Sequence, residues 1–403
     1  MIELLAPCGD FNKLKTALHF GADAVYIGGG NYGLRKGAKN FTSEEMIEAV
    51  KYTHERGKKI YVTCNIVAHN EDFIGLREYL KFLDDIGVDA VIISDPGIIV
   101  IAKEVLTRAE IHLSTQANAT NKYSVKFWAD MGCSRIVLAR ELSISEIKEI
   151  KEYIGDTELE AFVHGAMCIS HSGRCLLSNF MMKRDGNRGA CVQACRWEYK
   201  LHEVKRPESD YTMVEDDRGT YIMNSKDLNM LEHIGDVIDA GVTSFKIEGR
   251  MKSQYYVGSV VNAYRKAIDR YLSGDKTVDK SLVEELTKTA HRAYTTGFYY
   301  GEYDSVNLDS AQAITDYDFM AEVLYYDEER GGIVVEQRNR FKKGETLEIL
   351  SNNDEYFNKT ITIDYMLDDK GEILEDAKFV QQILFIKTDC RLTQHDMLRK
   401  KVR

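Results

Sequence analysis

The chain has 403 residues, 44% of them hydrophobic, 29% charged and 10% aromatic, with a formal net charge of −11. That balance excludes a disordered, collagenous or fibrous protein and is sufficient for one large domain plus a smaller one. No apolar run approaches the ~18 residues of a membrane-spanning helix, and the start, MIELLAPCGDF, has no leader pattern, so a cytoplasmic protein with no membrane partner is expected.

In chain order, eight short apolar runs read as strands: Glu3–Ala6, Ala24–Gly28, Ile60–Cys64, Asp89–Ser94, Ile111–Thr115, Ile136–Ala139, Leu159–His164 and Thr243–Glu248. Blocks such as AVYIG and AVIIS are apolar on both faces, as buried parallel strands are. Between them lie helix-period segments at Lys13–Phe20, Ser43–Arg56, Phe73–Ile86, Gly97–Arg108, Asn121–Met131 and Ser143–Ile154. Ser43 precedes acidic residues, and Ser143 with Glu146 fits a capping box. The tags FGADAVYI, IGVDAVII, MGCSRIVL and AGVTSFKI each place a glycine between a helix end and a strand.

Eight β-then-α units predict an α/β fold of the TIM-type (β/α)8 barrel class over residues 1–300, with a doubly wound open sheet as the alternative. Nearly 80 residues separate the last two strands, and residues 165–225 form a cysteine-rich insertion. Helices are expected near Gln254–Ser273 and Asp279–Tyr294, then a Gly/Tyr-rich linker, TTGFYYGEYDS. Residues 311–403 alternate as short strands and turns, predicting a small all-β barrel or sandwich.

The strongest chemical signal is Cys168-x6-Cys175-x15-Cys191-x3-Cys195. In a cytoplasmic chain, eight cysteines point to thiols or metal ligands rather than disulfides. Four thiolates can saturate a tetrahedral zinc or a [4Fe–4S] cluster, and the six-residue gap suits the cluster better than a zinc ribbon. Four unrelated buried thiols, or a redox disulfide pair, are the alternatives. The surrounding Gly, Ser and Arg would let backbone N–H groups reach cluster sulfurs. Residues 174–206 carry Arg174, Lys183, Arg184, Arg188, Arg196, Lys200, Lys205 and Arg206 against three acids. The last 13 residues carry five Lys/Arg against one Asp. Two basic islands on an acidic chain suit phosphate contacts, a solvated face being the plainer reading.

Polar residues at strand C-termini face the active site of a barrel. The candidates are Asn31, Arg35, Asn65, Asp95, Thr115, Gln116, Arg140, Glu141, His164, Lys246, Glu248 and Arg250. Arg140, Lys246, Arg250 and His164 could converge on a dianionic small molecule, with Asn31 and Arg35 as further substrate contacts. Glu248 and His164 are the catalytic candidates, Glu248 as an arginine orienter or base. Local salt bridges are the competing reading for each. Gly28 to Gly33 matches G-x-G-x-x-G but no clean helix follows, and H-E-x-x-H, G-x-S-x-G and the P-loop pattern are absent. A cysteine peptidase would need His164 or His171 beside Cys168.

ELLAPCGDFNKLKTALHFGADAVYIGG, LARELS, EAFVHGAMCISHSGRCLLSNFM, NRGACVQACRW, GTYIMNSKDL and FKIEGRMKS resemble the collagenase-like peptidase family of unknown mechanism, as do TTGFYYG and RNRFKKGETLEI. The resemblance spans nearly the whole chain and is strongest to the family's tRNA-uridine hydroxylation branch. It implies a barrel followed by a small β-domain, a tRNA partner, and 5-hydroxyuridine formation at a wobble position without dioxygen. Prephenate is then the hydroxyl source, a dicarboxylate matching the Arg140, Lys246 and Arg250 group. It further implies a [4Fe–4S] cluster on Cys168, Cys175, Cys191 and Cys195. A uridine flipped from a tRNA loop would meet Trp197 and Tyr199 as stacking candidates, with the β-domain and basic C-terminus positioning the tRNA. A collagenase-like peptidase and a non-catalytic iron–sulfur partner subunit are the other readings. A homo-oligomer or a pairing with a family paralogue is left open.

Overall fold

A computed structural model describes residues 2–30, 32–34, 40–168, 170–197, 215–216, 219–220, 226–301 and 314–402. Strands β1 (Glu3–Pro7), β2 (Ala24–Gly28), β3 (Lys59–Cys64), β4 (Ala90–Ile93), β5 (Glu110–Leu113), β6 (Arg135–Val137) and β7 (Glu158–Ala166) pair in parallel in chain order. A closing strand, Ser244–Ile247, pairs in parallel with both β1 and β7. That double pairing closes an eight-stranded barrel and excludes the open doubly wound sheet. Outside it pack α1 (Phe11–His19), α2 (Ser43–His54), α3 (Leu76–Asp85), α4 (Pro96–Val105), α5 (Lys122–Asp130) and α6 (Ile144–Ile154).

Local chemistry sets the ends of these elements. Ser143 caps α6 with the expected reciprocal Glu146 bond, whereas α2 is capped one residue earlier than expected, by Thr42 with Glu45. Gly21, Gly87, Gly132 and Gly241, one in each helix-to-strand tag, all have positive φ, so the recurring tag is a left-handed helix exit. At the next such joint, Asp84 accepts four hydrogen bonds from Thr107, Arg108 and Ala109. Burial pushes its carboxyl up, but these donors outweigh it and hold the pKa at about 2. On acidification the unfolded chain therefore takes this proton first, near pH ~4, and the contribution is lost as pH falls toward 2. Asp84→Asn should destabilise the chain at pH 6, and the gap to wild type should narrow at pH 3 in urea midpoints.

The lower half of the barrel interior is ionic. Glu160 is fully buried, with Lys246 Nζ at 2.6 Å and Arg135 Nη1 at 3.4 Å. Arg135 also pairs with Glu3 at 2.5 Å, and Tyr61 donates to Glu3 at 2.6 Å. Burial raises the Glu160 pKa by itself, but Lys246 and Arg135 overcome this and lower it. Ser244 joins by hydrogen bonds to Glu3 and Glu160.

α8 (Ile234–Asp239) precedes the closing strand, and α9 (Gln254–Leu272) and α10 (Lys280–Thr287) follow it. The expected helix to Tyr294 stops at Thr287 because Tyr294–Thr295 instead pairs with Asp227–Leu228, a strand laid antiparallel on the end of β7. The C-terminal part is one antiparallel sheet of seven strands, plus a two-stranded ribbon of Phe341–Lys342 and Asp376–Ala377. Its core is formed by Val323, Ile333, Val335, Phe341, Ile349, Leu384, Ile386 and Leu398. It is fastened to the barrel by Arg399, fully buried, whose Nη2 meets Glu285 and Glu348 at 2.6 Å. Lys288 reaches Glu348 at 2.6 Å, and Gln254 donates to Glu322 at 2.9 Å.

Among the described residues no helix is long and apolar enough to cross a membrane.

Candidate functional site

At the C-terminal mouth of the barrel lies an open cavity. Its barrel wall consists of inward-facing strand residues: Tyr26 on β2, Thr63 on β3, Ile92 on β4 and Phe162 on β7. Its rim carries Asn65, Thr115, Gln116, Arg140, Glu248 and Arg250, all anticipated from strand ends. Tyr26, Thr63 and Phe162 were not anticipated. Their alternation is hidden in runs that read as uniformly buried, because the opposite face packs against helices.

The insertion forms the cavity's roof. α7 (Leu177–Met182) and two single turns, Gly186–Arg188 and Ala194–Arg196, lie across the mouth. Ser172 donates to Glu141 through N–H at 2.9 Å and Oγ at 3.2 Å. A Cβ at Gly173 would collide with the Gln116 carbonyl. Arg188 bridges to Asp72 at 2.6 Å and Glu71 at 3.2 Å, and Val67 N–H donates to Asn187 O at 3.0 Å. The roof is therefore tied to the loops after β3, β5 and β6.

All four insertion cysteines line this cavity, and none of the eight cysteines is in a disulfide. Cys8, Cys64 and Cys133, by contrast, are buried in the outer core. Asn187 Nδ2 donates to Cys175 O at 3.0 Å, and Ser178 Oγ accepts from Val192 N–H at 3.0 Å, joining the two cysteine segments. Gln193 N–H donates to Cys191 Sγ at 3.4 Å, the sulfur contact expected of a small-residue loop. As they stand, no three His, Cys, Asp or Glu side chains among the described residues are grouped closely enough to hold a metal ion. The donor set nevertheless fits a cluster: four unoxidised thiols, soft ligands, share one half-exposed cavity wall.

Arg250 is 4% exposed, and its guanidinium donates to Thr63 Oγ1 at 2.8 Å and to Leu34 O at 2.6 Å. Gly28 makes room for it, since a Cβ there would strike the guanidinium. Gly28→Ala should therefore displace Arg250 and weaken binding of any cavity anion by about tenfold or more, the scale of a charged hydrogen bond, in titration calorimetry. Arg140 donates to Ala166 O at 2.9 Å, while its buried Nε has no hydrogen-bond partner. Burial opposes its charge, but Cys168, Glu248 and Glu141 outweigh this and raise its pKa. Tyr26 OH donates to Ile247 O at 2.9 Å and lies 3.5 Å from Glu248 Oε2. Lys246 reaches the cavity floor, but its ammonium is committed to Glu160.

His164 is not brought to the site. Its backbone pairs with Ile247 across a register shift: Lys246 pairs with Phe162, and the next pairing skips Val163. The bulge turns His164 to the outer face, where it is 1% exposed and lies against Tyr256, Tyr264 and Tyr294. Burial pushes its pKa down to about 3, so it is held neutral. Asp95 is likewise absent from the cavity and caps α4. Asn31, Arg35 and Tyr199 lie outside the described residues, as do Lys200, Lys205 and Arg206. In the C-terminal basic island, Arg399 is consumed by the domain interface, Lys400 pairs with Glu345, and Arg391 pairs with Glu328.

A closed parallel barrel with a polar cavity at its C-terminal mouth and a cysteine-bearing roof has the architecture of an α/β-barrel enzyme. The Peptidase family U32 model matches residues 9–308, and the Peptidase family U32 C-terminal domain model matches residues 315–399. The chain belongs to peptidase family U32. It is 46% identical to "tRNA hydroxylation protein P1" of Bacillus subtilis, over 99% of this chain and 94% of that one. It is 39% identical to "tRNA hydroxylation protein P" of Escherichia coli, over 93% and 91%. It is 34% identical to "Collagenase" of Porphyromonas gingivalis, over 74% of each.

Proposed function

We propose that the barrel mouth hydroxylates a uridine of tRNA, forming 5-hydroxyuridine at the wobble position without dioxygen. The chain is an RNA-modifying hydroxylase of the tRNA hydroxylation kind, as its near-full-length relatives are named. The observation that carries the reading is the meeting of Arg140, Arg250, Glu248 and four thiols around one cavity.

In this reading Arg140 and Arg250 grip the carboxylates of prephenate, the hydroxyl donor, because guanidinium forks match carboxylates. Glu248, beside the Tyr26 hydroxyl, holds or takes a proton at its Oε2. Glu160 pairs with Lys246 and fixes the cavity floor in place. Cys168, Cys175, Cys191 and Cys195 would hold a [4Fe–4S] cluster, which supplies electron-transfer chemistry when bound. The protein works in the cytoplasm, where tRNA and free thiols coexist.

A peptidase would need Cys168 activated by His171, yet His171 is 68% exposed and Glu141, 4.0 Å from it, is engaged by Ser172. The deciding experiment is mass spectrometry of tRNA nucleosides from a deletion strain lacking paralogues. Loss of 5-hydroxyuridine derivatives, restored by the wild-type chain and not by Cys175→Ser, is expected. Unchanged levels in the deletion strain would refute the reading.

A further inference from the structure

The roof helix α7 is built with its apolar side outward. Ser178 faces the cavity and is buried, and Cys175 just before the helix lines the same wall. Leu176 is 66% exposed, Phe180 82% and Met182 49%. Leu176 and Phe180 are four residues apart and so share a helical face. The turn Ala194–Arg196 packs on α7 and delivers Trp197, also exposed, to the same roof. Arg174, Lys183 and Arg184 flank this apolar strip, and all three are exposed. Among the described residues none of the three has a carboxylate within ion-pair distance, although the chain as a whole carries a net charge of −11. Some other surface cations are paired, Arg188 with Asp72, Arg391 with Glu328 and Lys400 with Glu345.

Aromatic and thioether surface beside unpaired cations is the composition that single-stranded nucleic acid selects. Bases stack on the rings, and phosphates take the charges. A protein partner would select the apolar strip without needing three unpaired cations beside it. We infer that the outer face of α7 is the docking platform for an unpaired RNA loop, with Phe180 stacking a base and Arg174, Lys183 and Arg184 contacting phosphates. The roof then reads the loop on its outer face and presents one nucleotide to the cavity on its inner face. This inference rests on the RNA-hydroxylase reading and adds where and by which groups the RNA is held.

The test uses the full-length chain and a fluorescently labelled tRNA anticodon stem-loop in anisotropy titrations at several salt concentrations. Phe180→Ala should weaken binding by about 10-fold, within the range for one stacked base, while Phe180→Trp should preserve it. Lys183→Gln combined with Arg184→Gln should flatten the dependence of log Kd on log salt by about 1.4, two single-strand phosphate contacts. A purely structural role would leave that slope unchanged. Because these side chains are exposed, thermal unfolding should match wild type in all variants. Wild-type binding that survives both changes, with an unaltered slope, overturns the platform but leaves the hydroxylase reading standing. A wild-type chain that binds no tRNA overturns both. Sedimentation showing self-association lost in Phe180→Ala, without loss of RNA affinity, reassigns the face to a second copy and overturns the platform.

Discussion

Arg250→Lys is expected to abolish tRNA hydroxylation to within detection while leaving the fold intact. Arg250 leaves the closing strand, crosses to β3 through Thr63 Oγ1, and holds the loop after β2 through Leu34 O and Asn40. A lysine keeps the charge but has one donor centre where the fork had two. It cannot span Thr63 and Leu34 and also present an N–H to a carboxylate. Removing one charge-stabilising donor from a preorganised site typically costs ~10²–10³ in rate, and here loop order is lost with it. The measurements are nucleoside analysis in a complemented deletion strain and prephenate affinity by calorimetry. Full modification with Arg250→Lys would place the anion site elsewhere.

Arg399→Ala is the second large expected effect, and it acts on stability. Arg399 and Glu285 are both fully buried between the barrel and the C-terminal sheet, and Glu348 shares the same guanidinium. Removing the arginine strands a buried carboxylate, which costs about 3–5 kcal/mol. The urea midpoint should fall accordingly, and protease sites between the domains should open. Replacing both partners, Arg399→Leu with Glu285→Leu, should recover much of the loss, because a buried pair contributes little beyond an apolar one of similar volume. If the double variant is as unstable as the single, the damage comes from packing around Tyr255 and Tyr317, whose rings adjoin Arg399.

The strands were readable because a chain buried on both faces leaves few alternatives. AVYIG is a strand over the same five residues in sequence and structure. Helix ends were readable where side chains cap them, as at Ser143. Three other features depended on contacts between distant residues. Glu160 and Lys246 meet from 86 residues apart, and Glu3 and Ser244 from 241, so the ionic interior left no local pattern. Lys246 was correctly placed near the cavity, but only the fold shows its charge committed below. His164 failed for a sharper reason: one extra residue in β7 turns it outward, and no periodicity marks that bulge. The cysteines, the roof and the rim arginines were legible because they cluster at strand ends and in one long connection, where chemistry rather than packing dictates the residues.

The ionic plug beneath the cavity fixes the direction of traffic. Glu160, Arg135, Glu3 and Lys246 close the barrel from below, so among the described residues the chamber opens on the roof side and not at its base. A macromolecule seated over that opening would trap whatever small molecule is inside and shut out any that is not. In the proposed reaction loading would then be sequential, small ligand before polymer, with the spent co-reactant released after the polymer departs. Excess tRNA should accordingly slow the reaction by occupying the empty chamber's entrance, and raising the small ligand's concentration should relieve it.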